Sequence, residues 1–231
     1  ASLAKLVSKV KMTQEEADKV TVAITFTTKL EDAADCDLVL EAVLENLELK
    51  KEIFKTLDGI CKPETIFATN TSSVSLTEIA CVTSRPGQFI GMHFFNPAGV
   101  MKLVEVIRAA TTSEETFKTI YELAAFVGKD PVEVKEAPGF VVNRILIPMI
   151  NEAVCVLEEG IATAEDIDKA MKLGANHPMG PLALSDLVGN DVVLNIMQTI
   201  FTETGDPKYR PARLLKTMVR SGKLGKKTGE G

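Results

Sequence analysis

Residues 91–97, GMHFFNP, and residues 101–105, MKLVE, place His93 at the end of one apolar run and Glu105 inside the next. Their offset of 12 positions suits a strand, a short loop and a returning strand. An imidazole takes up a proton near neutral pH, and a carboxylate on its other nitrogen fixes the tautomer and stabilises the imidazolium. The stretch therefore predicts a proton-transfer site. The alternative is a core histidine beside an unrelated glutamate.

Outward from this stretch, short β-rich runs alternate with helical patterns between residues 24 and 136. Apolar side chains recur at helical spacing over residues 47–57 and 117–127. Strands that alternate with helices predict a mostly parallel sheet with helices packed on its faces. The predicted strands are residues 24–28, 37–43, 65–70, 89–95, 103–108 and 132–134.

The β pattern stops at Pro138, and four helices are predicted beyond it. Glycines at positions 160, 174 and 222 are typical helix ends. The boundary predicted near residues 137–139 divides the chain into an α/β domain, 1–136, and an all-helical domain, 137–231. The predicted helices are residues 143–159, 163–173, 181–204 and 212–221.

Composition excludes several classes of partner. The 231 residues carry a net charge of −6 and no long basic run, which argues against nucleic acid. Four cysteines without CxxC spacing favour a reducing cytosolic or matrix compartment, so we expect a cytoplasmic protein. The longest apolar stretch, residues 140–157, contains two asparagines, an arginine and a glutamate, too many polar groups for a membrane span.

Polar side chains follow three of the predicted strands. Glu45 and Asn46 come after residues 38–43, residues 70–73 come after residues 66–68, and residues 93–96 come after residues 90–92. Ligands of an open parallel sheet bind beyond the carboxyl ends of its strands. We therefore group these side chains into one site. Taken singly, each cluster is also consistent with a turn or a helix cap.

Further motifs follow in order along the chain: EAVLEN at 41–46, ATNTSS at 68–73, APGFVVNR at 137–144, NHPMGP at 176–181 and GKKTGEG at 225–231. With GMHFFNP and MKLVEVI they resemble the L-3-hydroxyacyl-CoA dehydrogenases, most closely the short-chain 3-hydroxybutyryl-CoA enzymes of butyrate-forming bacteria. The resemblance implies a Rossmann-type nucleotide-binding domain, a helical second domain, and an oxidoreductase that interconverts L-3-hydroxyacyl-CoA and 3-ketoacyl-CoA.

The resemblance also implies the catalytic roles. His93 is expected to remove the proton of the substrate 3-hydroxyl while hydride leaves C3 for the nicotinamide. Glu105 would hold and polarise His93, and Ser72 would hydrogen-bond the reacting oxygen. Asn143 would reach in from the helical domain beside His93. Such chemistry needs a base and fixed donors but no metal.

The expected cofactor is NAD. NADP stays open, because the residue that selects between the two follows the second strand of the nucleotide fold, and no such segment is visible. His177 lacks partner carboxylates or cysteines at ligand spacing and is expected to be structural rather than a metal ligand. The cofactor contacts implied by the resemblance are Glu45, Lys50, Asn70, Ser72, Asn96 and Lys227.

A rival hypothesis is a non-catalytic acyl-CoA-binding relative that kept the fold without nucleotide binding. Its mark would be loss of Ser72, His93 or Glu105, and all three are present. Residues 140–157 are apolar on more than one helical face, more than one small domain ordinarily hides. With the resemblance, this predicts a homodimer through the helical domain.

The dinucleotide fingerprint is not found in the sequence. The first glycine is Gly59 and no G-x-G-x-x-G occurs, while Leu3, Leu6 and Val7 indicate that the chain opens in an amphipathic helix. We expect the first βαβ segment of the Rossmann-type domain to be missing. The strand at 37–43 should then have an unpaired hydrophobic edge, which the run at 24–28 could shift to cover.

A polypeptide of these 231 residues alone should therefore bind NADH far more weakly than a complete homologue and turn over little or not at all. Nucleotide titration on material of verified intact mass tests this. A low-micromolar Kd, roughly −8 kcal/mol, would contradict it. If the protein studied carries further residues, full activity is expected instead.

Overall fold

The computed structural model describes residues 2–231 and contains one five-stranded sheet. Its strand order is β1-β2-β3-β4-β5. Strands β1, β2 and β3 run parallel, β4 runs antiparallel to β3, and β5 runs parallel to β4. The mostly parallel sheet is thus confirmed. The strands are β1 Leu38–Glu41, β2 Ile66–Thr69, β3 Phe89–Phe94, β4 Leu103–Arg108 and β5 Asp130–Lys135.

Helices cover both faces of the sheet. Phe54 of the helix after β1 lies between the rings of Phe67 and Phe89, with ring centroids 5.4 and 4.8 Å away. On the opposite face, Ile120 and Ala124 pack against β3 and β4. The helices of this part of the chain are α1 Ser2–Ser8, α2 Gln14–Val22, α3 Leu47–Asp58, α4 Leu76–Ala80 and α5 Glu114–Phe126.

The second half is helical, as predicted, and has its own core. Ile147, Ile150 and Val154 pack against Val193, Met197 and Ile200. No helix within residues 2–231 is long and apolar enough to cross a membrane. The helices are α6 Val142–Glu158, α7 Ala164–Gly174, α8 Pro181–Val188, α9 Asn190–Thr204 and α10 Arg213–Arg220.

The predicted strand at 24–28 is wrong. These residues lie in a loop after α2, where Ile24 and Phe26 are 49% and 87% exposed. An alternating apolar pattern becomes a strand only when a neighbouring strand accepts its backbone hydrogen bonds, and no strand among residues 2–231 pairs with this run. The run does not cover the edge of the sheet either. Within the described residues β1 pairs only with β2, and Leu40 is 40% exposed.

The single helix predicted for 181–204 is also wrong, because Gly189 divides it into α8 and α9. Its φ is +105°, a backbone conformation outside the helix. The side chain of Asn190 then stabilises the chain where α8 ends and α9 begins. Its side-chain amide donates to the carbonyl of Lys223 at 3.1 Å and its Oδ1 accepts from the Ser185 hydroxyl at 2.6 Å. Neither contact can be anticipated from helical periodicity.

Candidate active site

The register between β3 and β4 places His93 directly opposite Glu105. The two side chains meet at 2.8 Å between Nδ1 and Oε2, and both residues are buried, with 4% and 1% of their surface exposed. An ionised carboxylate can only accept, so Nδ1 is the donor to it, and the neutral form of the imidazole then has its lone pair on Nε2. The two predicted side chains are thus in contact, and this arrangement leaves the second ring nitrogen able to accept a proton.

Ser72 completes a chain of three polar side chains. Ser72 lies three residues beyond the end of β2, and its Oγ is 3.2 Å from His93 Nε2. The hydroxyl can therefore donate to the ring nitrogen that remains free. Since β2 and β3 are parallel neighbours, their carboxyl ends meet at one edge of the sheet, as expected for a ligand site.

The second carboxylate oxygen of Glu105 reaches the helical domain. Oε1 accepts from the backbone N–H groups of Val141 and Val142, each at 3.0 Å. These groups open α6, whose N-cap residue is a valine and so offers no side-chain acceptor. The Glu105 charge also lies at the positive end of that helix. One buried carboxylate therefore orients His93 and also caps the first turn of α6, the first helix of the second domain.

Aromatic rings flank the imidazole. The ring of Phe95 lies 4.7 Å from that of His93 and the ring of Phe140 lies 5.5 Å away, between centroids. Phe140 is buried and adopts a φ of +51° after Gly139, whose φ is +77°. This turn between the domains brings an apolar wall against His93.

Glu45 holds the loop that carries Ser72. Its Oε1 accepts from the Thr71 hydroxyl at 2.6 Å and from the backbone N–H groups of Ser72 and Ser73 at 2.8 Å each. Burial alone would raise the pKa of Glu45. The Thr71 hydroxyl, the charge of Lys50 and the bonds from Ser72 and Ser73 outweigh it and lower that pKa below its usual range.

Lys50 lies inside the protein. Its side chain is 1% exposed, and its Nζ lies 2.7 Å from Glu41 Oε1 and 3.4 Å from Glu45 Oε2. The resemblance assigned Lys50 to the cofactor, whereas here its ammonium is occupied by two carboxylates. Glu41 received no role from its sequence. The signal available was a charged residue inside the apolar run of residues 37–43, four positions before Glu45.

The remaining predicted residues lie around the same edge. Asn70 Oδ1 accepts from the backbone N–H of Phe94 at 2.8 Å and so ties the end of β2 to the end of β3. Asn96 is exposed just beyond β3, and half-buried Asn143 lies in the first turn of α6. Within residues 2–231 no hydrogen bond joins Asn143 to His93. Lys227 Nζ contacts Asp191 Oδ2 at 2.6 Å.

A cleft of about 540 Å³ opens between the strand ends and α9. Lys227 reaches it through Asp191. Asp191 and Asn195 were not predicted, because only the packing of α9 against the site brings them there. The polar groups suit the amide and ribose hydroxyls of the nicotinamide end of a dinucleotide. The lining residues are Val43, Glu45, Asn70, Ser72, Ser73, Asp191, Val192, Asn195 and Ile196.

The lowered pKa of Glu45 predicts how stability depends on pH. A carboxyl whose folded pKa is depressed contributes stability above its unfolded pKa, and loses it as pH falls through the folded value. The wild-type free energy of unfolding should therefore fall more steeply below about pH 4.5, the ordinary value for glutamate, than that of Glu45→Gln. Urea titrations at pH 3–7 measure this. Equal slopes for both proteins would contradict the assigned hydrogen bonds.

Two family models match the chain. The model described as 3-hydroxyacyl-CoA dehydrogenase, NAD binding domain, matches residues 1–137, and the C-terminal domain model of the same enzymes matches residues 139–231. Among curated proteins, the 3-hydroxybutyryl-CoA dehydrogenase of Clostridioides difficile is 56% identical over 98% of this chain and 81% of its own length. A probable 3-hydroxybutyryl-CoA dehydrogenase of Bacillus subtilis is 54% identical over 99% and 80%.

Solved structures agree with the sequence relatives. The crystal structure of an (S)-3-hydroxybutyryl-CoA dehydrogenase from Ralstonia eutropha superposes with a TM-score of 0.97 at 52% identity, covering all of this chain and 81% of that one. The predicted fold class, a Rossmann-type NAD-binding domain followed by a helical domain, is thereby confirmed. With its buried histidine–glutamate pair at the strand ends, this chain belongs to the 3-hydroxyacyl-CoA dehydrogenase family of NAD-dependent oxidoreductases.

Proposed function

We propose that this protein interconverts L-3-hydroxybutyryl-CoA and its 3-keto counterpart, with His93 as the general base. The observation that carries the proposal is the chain of contacts from Ser72 through His93 to Glu105, at the edge of the sheet where the cleft opens. The short acyl chain is supported by relatives that bear the name 3-hydroxybutyryl-CoA dehydrogenase.

In the oxidative direction His93 Nε2 receives the proton of the substrate 3-hydroxyl. The imidazolium that forms is stabilised by the Glu105 carboxylate at 2.8 Å, in surroundings with little water to screen the charge. Two backbone N–H groups hold Glu105, so the charge is already in place before the proton arrives. In the reductive direction the same nitrogen returns the proton.

Ser72 and Asn143 orient the reacting oxygen. The Ser72 hydroxyl lies 3.2 Å from His93 Nε2, so a substrate oxygen that reaches this nitrogen also lies within reach of the hydroxyl. Asn143, in the first turn of α6, supplies an amide from the helical domain. Fixed donors around the oxygen stabilise the negative charge that develops on it during reduction.

NAD, when bound, accepts the hydride that leaves C3 of the substrate. Glu45, Asn70, Ser72, Asn96 and Lys227 are the residues that would hold its nicotinamide end. Glu45, Asn70 and Ser72 line the cleft, and Lys227 contacts Asp191 on the opposite wall. The cleft volume of about 540 Å³ is in the range of small-molecule sites.

Replacing the base should remove most of the turnover. We expect His93→Gln to reduce kcat on acetoacetyl-CoA with NADH by at least about 100-fold, the usual contribution of a positioned general base. Ser72→Ala and Glu105→Gln should also reduce it, because each removes one contact of His93. His177→Gln in the helical domain is the control and should stay within about twofold.

Turnover within about tenfold of the parent in His93→Gln would exclude His93 as the base. Absence of turnover in the full-length parent protein, with acyl-CoA binding retained, would favour the rival, a non-catalytic acyl-CoA-binding relative. A parent protein with neither turnover nor acyl-CoA binding would exclude both functions.

We also propose a homodimer formed through the helical domain, residues 137–231, with residues 1–136 holding the nucleotide. Much of the apolar surface of α6 is covered within the chain, but Ile145 remains 68% exposed. Ile161, Leu173 and Leu187 are 66%, 77% and 51% exposed in the same half. Several large exposed apolar side chains on one domain are typical of a surface that a partner covers, whereas a single one is common on any protein surface. The unpaired cysteines are consistent with the proposed cytoplasmic location.

Light scattering at micromolar concentration should give the mass of a dimer. Contact between two copies would remove these exposed apolar side chains from water, which is favourable. Leu173→Asp should shift the population towards monomer. Phe126→Asp, which changes an 88% exposed side chain on α5 of the first domain, should not. A parent protein that is monomeric throughout this range would contradict the proposal.

A further inference from the structure

Glu41 and Lys50 form an ion pair that is almost completely removed from water. Their side chains are 2% and 1% exposed, and their charged atoms lie 2.7 Å apart. Glu41 ends β1, and Lys50 lies on the buried face of α3 among Phe54 and Leu57. A buried ion pair often stabilises a protein no more than apolar side chains of the same size would. Stability alone therefore does not account for this pair.

The contacts of Glu41 lead to the start of the loop that carries Ser72. Its Oε2 accepts from the Thr69 hydroxyl at 2.7 Å. The Thr69 oxygen in turn accepts from the backbone N–H of Thr71 at 3.2 Å. The other carboxylate oxygen of Glu41, Oε1, contacts Lys50 and also accepts from the backbone N–H of Val43 at 2.6 Å. Glu41 thus fixes the point at which the chain leaves β2.

The contacts of Glu45 lead to the other end of the same loop. Its Oε1 holds Thr71, Ser72 and Ser73, while its Oε2 lies 3.4 Å from Lys50 Nζ. The carboxylates of Glu41 and Glu45 therefore hold the two ends of residues 69–73 by hydrogen bonds. Both carboxylates contact the Lys50 ammonium, so Lys50 connects the two sets of hydrogen bonds that hold the loop.

We propose that Glu41 and Lys50 are positioning residues that act through Glu45 and the 69–73 loop to set the Ser72 hydroxyl against His93. This inference rests on the proposed function, in which Ser72 orients the reacting oxygen. It differs from direct cofactor contact in its physical cause. The Lys50 ammonium faces two carboxylates inside the protein and supports the reaction by fixing geometry.

Fixed geometry has a measurable effect, because displacement of a reacting group by about 1 Å can cost about 100-fold in rate. Removing Lys50 alone would leave Glu41 buried without a counter-charge, which can unfold a protein. The test variant is therefore Glu41→Gln with Lys50→Met, which removes both buried charges together. Lys51→Met is the matched control. Lys51 lies beside Lys50 on α3, pairs with Glu48 and with Glu78 of α4, and contacts neither Glu41 nor Glu45.

The experiment is a double-mutant cycle with Ser72→Ala in the full-length enzyme, monitored by kcat and by NADH affinity. We expect the paired variant to lower kcat by about 10- to 100-fold, and to weaken NADH binding by no more than Glu45→Gln does, because Glu45 is the cofactor residue that the pair holds. In the Ser72→Ala background the same change should lower kcat by less than about twofold, because Ser72 is the group through which it acts. Lys51→Met should leave both quantities unchanged.

A readout independent of turnover comes from the two histidines, whose ring signals can be assigned in an NMR spectrum with a His177→Gln variant. The paired variant should shift the His93 signals as Ser72→Ala does, since both remove the contact to Nε2. Unchanged His93 signals would overturn the proposal. So would multiplicative losses of kcat, or NADH binding weaker than in Glu45→Gln, which would indicate direct cofactor contact by Lys50. Full turnover in Ser72→Ala would instead contradict the role proposed for Ser72, and the His93 signals would still decide the positioning role.

Discussion

The Glu105 carboxylate is the point on which this structure depends. One oxygen fixes the His93 ring and the other accepts the first two backbone N–H groups of α6. Because Glu105 is 1% exposed, loss of either set of contacts would leave buried polar groups without partners, which costs more than the bonds themselves contribute. The site and the junction between the two halves of the chain therefore depend on the same charge.

The antiparallel pairing of β3 and β4 makes this arrangement possible. The short connection between them returns the chain beside itself, so His93 and Glu105 face each other across the register. The parallel strands contribute differently. Their carboxyl ends gather the loops after β1, β2 and β3 at one edge, where Glu45, Ser72 and Asn70 meet. The sheet supplies the fixed frame, and loops held by buried carboxylates supply the side chains.

Buried charge is concentrated at this edge, and it is satisfied there. Glu41, Lys50 and Glu105 are 5%, 1% and 1% exposed, and each has at least one hydrogen-bond partner at 3.0 Å or shorter. Buried ionic groups are costly unless they are paired in this way. Networks of this kind are rigid, and a hydride-transfer enzyme needs rigid geometry around the reacting carbon.

The sequence by itself determined the class of fold, the change from strands to helices near residue 138, and the pairing of His93 with Glu105, because periodicity and short-range spacing carry that information. Tertiary structure decided the rest. The run at 24–28 found no strand to pair with, and Gly189 broke a helix that periodicity had predicted as continuous. Only packing brought Asp191 into the cleft and enclosed Lys50 between Glu41 and Glu45, since burial of a charge depends on distant parts of the chain.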